Sequence, residues 1–192
     1  NAAKFWLSRG GFKTKILATT KIGHVHFIYK GDRNGLRSYF EKIKAQLLQA
    51  IKPLTQNMEK RGGGLLDLNL IDCTPKMAHY FQLEATFETK DAMGANFINS
   101  CLEEFAQEMQ YFFKEETSFK EEERECEIVM SILSNYTPNC LVKAWVECPF
   151  SELEGLDEEL TGEQFAKKFE LAVRIAEIDV YRATTHNKGV FN

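Results

Sequence analysis

Two stretches of the sequence concentrate residues able to act on a ligand. The first, Asp91-Ala92-Met93-Gly94-Ala95-Asn96, follows an alternating apolar run and opens a helical one. The free amides and positive dipole end of such a helix face the loop, where an anion could sit. Gly94 would let a ligand approach the backbone with no Cβ in the way, and Asp91 could cap the helix. An ordinary capped helix start with a tightly packed glycine fits the same residues. The second stretch, Arg182 with Thr184, Thr185, His186, Asn187 and Lys188, runs into Gly189-Val190-Phe191-Asn192. A lysine in such company can stabilise a developing oxyanion, and an arginine or histidine can orient an acidic substrate. A frayed polar end is the competing reading.

Other candidates are weaker. His24 and His26 share one side of a strand at i,i+2 spacing, which would ligate a metal only with a third ligand. No further His or Cys pattern supplies one, so these histidines and His79 read as structural, with no metal expected. The five cysteines, at 73, 101, 126, 140 and 148, are odd in number and form no C-x-x-C pair. That argues against a disulfide framework or a structural zinc and for reduced thiols packed in a core, in a cytoplasmic setting. The sequence holds no G-x-G-x-x-G, Walker lysine loop, G-x-S-x-G or H-E-x-x-H.

The elements that must position these residues follow from periodicity. Ala3 to Ser8 reads as a short helix stopped by Gly10-Gly11. Alternation predicts two strands, Lys13 to Thr20 and His24 to Tyr29, with Ile22-Gly23 as the turn between them. Asn34 is a plausible N-cap for a helix whose apolar face is Leu36, Phe40, Ile43, Leu47 and Ile51. Pro53 kinks or restarts that helix, and Gly62-Gly63-Gly64 ends it. Leu66 to Ile71 and Tyr80 to Phe87 form a hairpin, and Ala92 to about Glu115 returns to helical spacing. The acidic run Lys120 to Glu125 reads as a solvated connection. Two strands follow, Glu127 to Leu133 and Leu141 to Val146, and Thr161 with Gln164 caps a last helix. From His24 the order is strand, helix, strand, strand, helix, strand. It implies an α+β fold of the ferredoxin-like βαββαβ kind, an antiparallel sheet with helices on one face.

Composition narrows the function classes. A chain of 192 residues that is 44% hydrophobic can bury a core, which excludes collagen-like and largely disordered classes. Its 24 Lys+Arg against 28 Asp+Glu leave a net charge of −4, which argues against a nonspecific nucleic-acid binder. No apolar run is long enough for a membrane-spanning helix, and no partner membrane is expected. The missing initiator Met at Asn1-Ala2 suggests a segment taken from a longer chain.

Taken together, Asp91-Ala92-Met93-Gly94-Ala95-Asn96 and Asp179-Val180-Tyr181-Arg182-Ala183-Thr184-Thr185-His186-Asn187-Lys188-Gly189 closely resemble 3-hydroxy-3-methylglutaryl-coenzyme A reductase in its shorter class II form. Gly62-Gly63-Gly64 with Asp67, and Ile132-Leu133-Ser134-Asn135, fall in the same order as in that family, so the resemblance spans about Gly10 to Asn192.

The resemblance implies a ferredoxin-like small domain that binds a nicotinamide dinucleotide, here residues 11–150. Segments 1–10 and 151–192 would return to a large domain that binds coenzyme A and forms a homodimer. It implies cofactor contacts from Asp91, Ala92, Met93, Gly94, Asn96 and Asn135, and substrate contacts from Arg182 and, more weakly, Asn192. Lys188 would be the catalytic lysine, stabilising the oxyanion of the thioester carbonyl and then of the hemithioacetal as two hydrides convert hydroxymethylglutaryl-CoA to mevalonate and coenzyme A. The family's catalytic Glu, Asp and C-terminal His lie outside these residues, so the isolated chain is expected to be inactive. Class habit points to NAD as cofactor. The absence of an acid in residues 51–58, where the family reads the ribose, together with Lys52, Lys60 and Arg61, keeps NADP open. A non-catalytic ferredoxin-like ligand-binding or assembly module is the alternative from another class.

Overall fold

The computed structural model of the chain describes residues 2–191, arranged in two compact units. One unit is Lys15–Lys143; the other combines the residues up to Thr14 with those from Ala144 onward.

Lys15–Lys143 is built on an antiparallel sheet. Strand β1 is Lys13–Ile28, β2 Gly64–Asp72, β3 Tyr80–Glu88, β4 Glu127–Leu133 and β5 Cys140–Trp145. The sheet order is β2-β3-β1-β4, with β5 also pairing with β1. The expected pair of strands at 13–29 is therefore one sixteen-residue strand, and Ile22-Gly23 is not a turn. Gly23 instead marks close packing: a Cβ there would lie 2.6 Å from Leu102 Cδ1 and 3.0 Å from Ile98 Cγ2. A glycine within a strand serves such an approach as readily as it serves a turn.

Alternation sends Val25 and Phe27 of β1, Phe81, Leu83, Ala85 and Phe87 of β3, and Leu68 of β2 to one face, where all are fully buried. Helices α2 (Arg33–Ala50), α3 (Lys52–Lys60) and α4 (Ala95–Glu115) cover that face. Leu36, Phe40, Ile43 and Leu47 on α2 meet Ile98, Leu102, Phe105 and Met109 on α4 in the same core. A fully buried Leu or Phe contributes roughly 1.5–3 kcal/mol, against about 0–1 for a surface ion pair, so the apolar rows decide the layer order. The Tyr39 hydroxyl donates to the Phe112 carbonyl at 2.7 Å and ties α2 to α4.

Helix α2 starts two residues earlier than its sequence suggests. Asp32, not Asn34, is the N-cap, and its carboxylate accepts the Gly35 amide at 2.6 Å. Pro53 lies in the first turn of α3, where it removes only an amide that has no helical partner.

The second unit contains α1 (Ala2–Leu7), α5 (Gly162–Ile178) and α6 (Val180–Phe191). Thr161 and Gln164 form the expected capping box of α5. Phe5, Trp6, Val146, Leu153, Phe165 and Phe169 line an apolar hollow of about 670 Å³.

Candidate functional site

At one end of the sheet, β3 passes into α4 through Thr89–Gly94, and the triple glycine between α3 and β2 lies beside it. Gly94 is the N-cap of α4 with φ 75° and ψ 8°, in the left-handed region. A Cβ there would also stand 2.6 Å from Thr89 Cγ2, and Thr89 is fully buried. Glycine is thus required twice, by conformation and by space. Gly63 is needed for another reason, since its Cβ would overlap the Glu88 carbonyl oxygen.

Asp91 does not cap α4. Its carboxylate accepts from Arg61 Nη2 at 2.7 Å and joins the Asp91–Gly94 loop to the turn that ends α3. Met93 is exposed. The loop is held from below: Lys21 Nζ donates to Thr89 Oγ1 at 2.9 Å and to the carbonyls of Ala92 and Met93 at 2.7 Å each. Thr89 Oγ1 in turn donates to the Ala92 carbonyl at 2.9 Å. At the end of β3, the Thr19 hydroxyl and then the Lys90 amide hold Glu88 below the usual carboxylate range.

Beside this loop, α3 and α4 enclose a groove of about 340 Å³. Leu54, Met58 and Phe97 form its apolar floor, and Asn57, Arg61, Asn96 and Ser100 its polar rim. Arg61 is the only charged residue in that lining.

Asn135 lies in the turn between β4 and β5. Both ends of this turn are fixed on β1: Ser134 N–H donates to the Ile22 carbonyl at 2.8 Å, and Thr20 N–H to the Asn139 carbonyl at 2.9 Å. The two anchor points flank Lys21. Helix α4 reaches the same place, because Asn99 Oδ1 accepts the Leu133 amide at 3.0 Å. Asp91, Ala92, Met93, Gly94, Asn96 and Asn135 therefore all belong to one end of one unit.

Arg182 and Lys188 belong to the other unit. They are carried by α6, which opens on Asp179, whose carboxylate accepts the Tyr181 and Arg182 amides at 2.9 and 3.4 Å. The polar stretch is thus a formed helix, exposed along its length, and not a frayed end. Six residues apart, Arg182 and Lys188 point about 120° from each other around the axis. Asn192 lies outside the described residues.

Elsewhere, His26 and Tyr80 are within 2.6 Å through Nδ1 and the hydroxyl, and His24 Nε2 lies 3.3 Å from Glu84. His79 takes φ 63° in the β2–β3 turn. Cys73, Cys101 and Cys126 are buried as expected of core thiols, whereas Cys140 and Cys148 are only partly buried and lie outside the core, and burial pushes Cys101 and Cys126 up to about 12, far from a reactive thiolate.

The model of the family described as "Hydroxymethylglutaryl-coenzyme A reductase" matches residues 1–192. The chain belongs to this family. It is 25% identical to the 3-hydroxy-3-methylglutaryl-coenzyme A reductase of Archaeoglobus fulgidus over 192 residues, which is 100% of this chain and 40% of that protein. Among solved structures, it resembles the class II reductase of Streptococcus pneumoniae bound to NADPH in open conformations, with TM-score 0.76 and 30% identity over 99% of this chain and 48% of that one. A second structure of the Streptococcus pneumoniae reductase gives TM-score 0.77 with the same identity and coverage. The chain spans 35–40% of the length of the curated relatives it matches.

In this reductase-family chain, the sequence does not reveal what three residues around the Asp91–Gly94 loop bond to. Lys21 and Thr89 look like ordinary strand residues, and Arg61 like one cation among several before the triple glycine. Their roles rest on partners 30 to 72 positions away. No local pattern encodes such pairings.

Proposed function

We propose that this chain is the dinucleotide-holding part of a hydroxymethylglutaryl-coenzyme A reductase, and that it also carries the catalytic lysine. The observation that carries this reading is the glycine-dependent loop at Asp91–Gly94, which opens α4 beside the α3–α4 groove. Its residues fit a nicotinamide dinucleotide: a glycine-dependent loop whose Met93 and Gly94 amides have no acceptor among the described residues, a helix start suited to phosphates, an apolar floor for a base and amide side chains at the rim. Ala92, Met93, Gly94 and Asn96 would line the phosphates, Asp91 would border them, and Asn135 would face the nicotinamide end.

The order β2-β3-β1-β4, with three helices on one face, supports the ferredoxin-like reading of this small domain. The segments before and after it would join the large domain, which in the full protein binds coenzyme A and pairs into a homodimer. Between NAD, which class habit suggests, and NADP, we propose the phosphorylated form, and the groove's lining supports that choice. Arg61 borders it, no acid lines it, and a 2′-phosphate would compete with Asp91 for the guanidinium.

When bound, the reduced cofactor supplies hydride to the thioester carbonyl of hydroxymethylglutaryl-CoA and then to the aldehyde derived from it. Lys188 donates from its ammonium to the oxygen on which negative charge develops. Arg182 holds the substrate's anionic part. The Glu, Asp and His that complete the chemistry in the family lie outside these residues.

The test is a fluorescence titration of the full-length protein with NADPH and with NADH. NADPH is expected to bind more tightly, Gly94→Val to abolish binding of both, and Arg61→Gln to weaken NADPH about tenfold while leaving NADH unchanged. Lys188→Ala is expected to lower kcat by about 10²–10³ with cofactor affinity retained, as for loss of one oxyanion donor. Absence of dinucleotide binding, or a Gly94→Val variant that binds like the parent, would sink the reading.

A further inference from the structure

The core-facing row of β1 ends in a cation. Val25 and Phe27 are fully buried and Gly23 packs under α4, yet the next position of the row, Lys21, places an ammonium at the margin of the core. Half-burying such a group is unfavourable unless each donor is matched. Here three donors meet three acceptors: Thr89 Oγ1, Ala92 O and Met93 O.

Two of those acceptors are successive carbonyls, and that has a geometric effect. No cis peptide bond occurs among the described residues. In a trans peptide, the C=O and the following N–H point in opposite directions. Drawing the carbonyls of Ala92 and Met93 down to Lys21 therefore turns the N–H groups of Met93 and Gly94 away from it. Neither N–H has an acceptor among the described residues. Gly94 in the left-handed region followed by helical Ala95 continues this array as an anion-binding nest.

We propose that Lys21 is a positioning residue for the dinucleotide phosphates. It does not touch the ligand. It fixes the two peptide planes from Ala92 to Gly94 so that their amides face outward, and it puts a positive charge behind them. This rests on the reading of the loop as the cofactor site. A lysine that merely stapled β1 to the loop would change stability and leave cofactor affinity unchanged.

The experiment uses full-length protein carrying Lys21→Met or Lys21→Arg, with NADPH titration and, without ligand, amide hydrogen exchange. Two loop-dependent amides report on the clamp, Ala92 bonded to the Thr89 carbonyl at 3.0 Å and Ile98 bonded to that of Gly94 at 2.9 Å. Lys21→Met is expected to weaken NADPH at least tenfold and to speed exchange at Ala92 and Ile98, while Leu83 and Ala85 in β3 keep their protection. Lys21→Arg, which retains a cation with several donors, is expected to hold NADPH affinity within threefold of the parent. A Met variant that binds within twofold of the parent overturns the proposal, and so does an Arg variant as impaired as the Met one. Should Lys21→Met fail to melt cooperatively, Lys21→Arg decides. Affinity within threefold upholds the proposal, and a larger loss with Ala92 still protected overturns it. If the parent itself does not bind NADPH, the cofactor reading fails, and unchanged exchange at Ala92 in the Met variant would overturn the clamp separately.

Discussion

At Gly94 two independent demands meet, a positive φ and contact with buried Thr89, and both are invisible in a string of letters beyond the glycine itself. The sequence made the location of the loop legible because the pattern changes there from alternating to helical. It did not reveal Asp91's true partner. An acid three residues before a glycine-led helix looks like a cap, and only the fold brings Arg61 within 2.7 Å. On the far side of the sheet, His26 offers a test of another kind. Burial, and then the neighbouring His24, depress its pKa below the ordinary 6.5. Between the folded value and 6.5 the unfolded chain binds more protons, so stability falls as pH drops through that window. Asp67, Asp72 and Glu88 are held below their ordinary values, so their contributions are complete above about pH 5 and are lost only in more acidic solution. Urea midpoints at pH 7.5 and 5.5 therefore isolate the histidine. His26→Gln is expected to flatten the difference between them, and an unchanged difference would refute its origin in His26.

Among the elements, β1 is where sequence reasoning and structure part. Most of the others follow from periodicity and capping: the β2–β3 hairpin, the restart at Pro53, and the Thr161–Gln164 box. Ile22-Gly23 misled because a turn and a close helix approach both call for a missing Cβ, and the deciding neighbours, Ile98 and Leu102, lie some 75 residues further along the chain. Gly23→Ala is accordingly expected to press α4 off the sheet and cost about 1–3 kcal/mol, as overpacking does. Thermal melting together with near-ultraviolet circular dichroism would show it. A variant as stable as the parent would mean that Leu102 swings aside without strain.

Across the whole chain, the two units differ in how completely they cover themselves. Lys15–Lys143 holds the entire aromatic and aliphatic core, whereas Ala176 is the only buried apolar side chain of the other unit among the described residues. Phe169, Ile178, Tyr181 and Phe191 stand 65–87% exposed there. A surface of that kind is expected to pack against further polypeptide, and the chain spans 48% of the solved reductase it resembles. The 192 residues alone are expected to self-associate and bind a hydrophobic dye, and to lack reductase activity. A monodisperse monomer by analytical ultracentrifugation with no dye binding would contradict this. One feature of β1 also bears on which length changes homologues can tolerate. Ile22 and Thr20 anchor the two ends of the Asn135 turn, and Lys21 between them reaches the opposite side to hold Ala92 and Met93. Strand residues alternate between faces, so inserting or deleting one residue between Thr20 and Gly23 would send the lysine to the wrong side and shift both loops at once. Natural variation in length is therefore expected to collect in the Ser134–Asn139 turn, and to spare these four positions of β1.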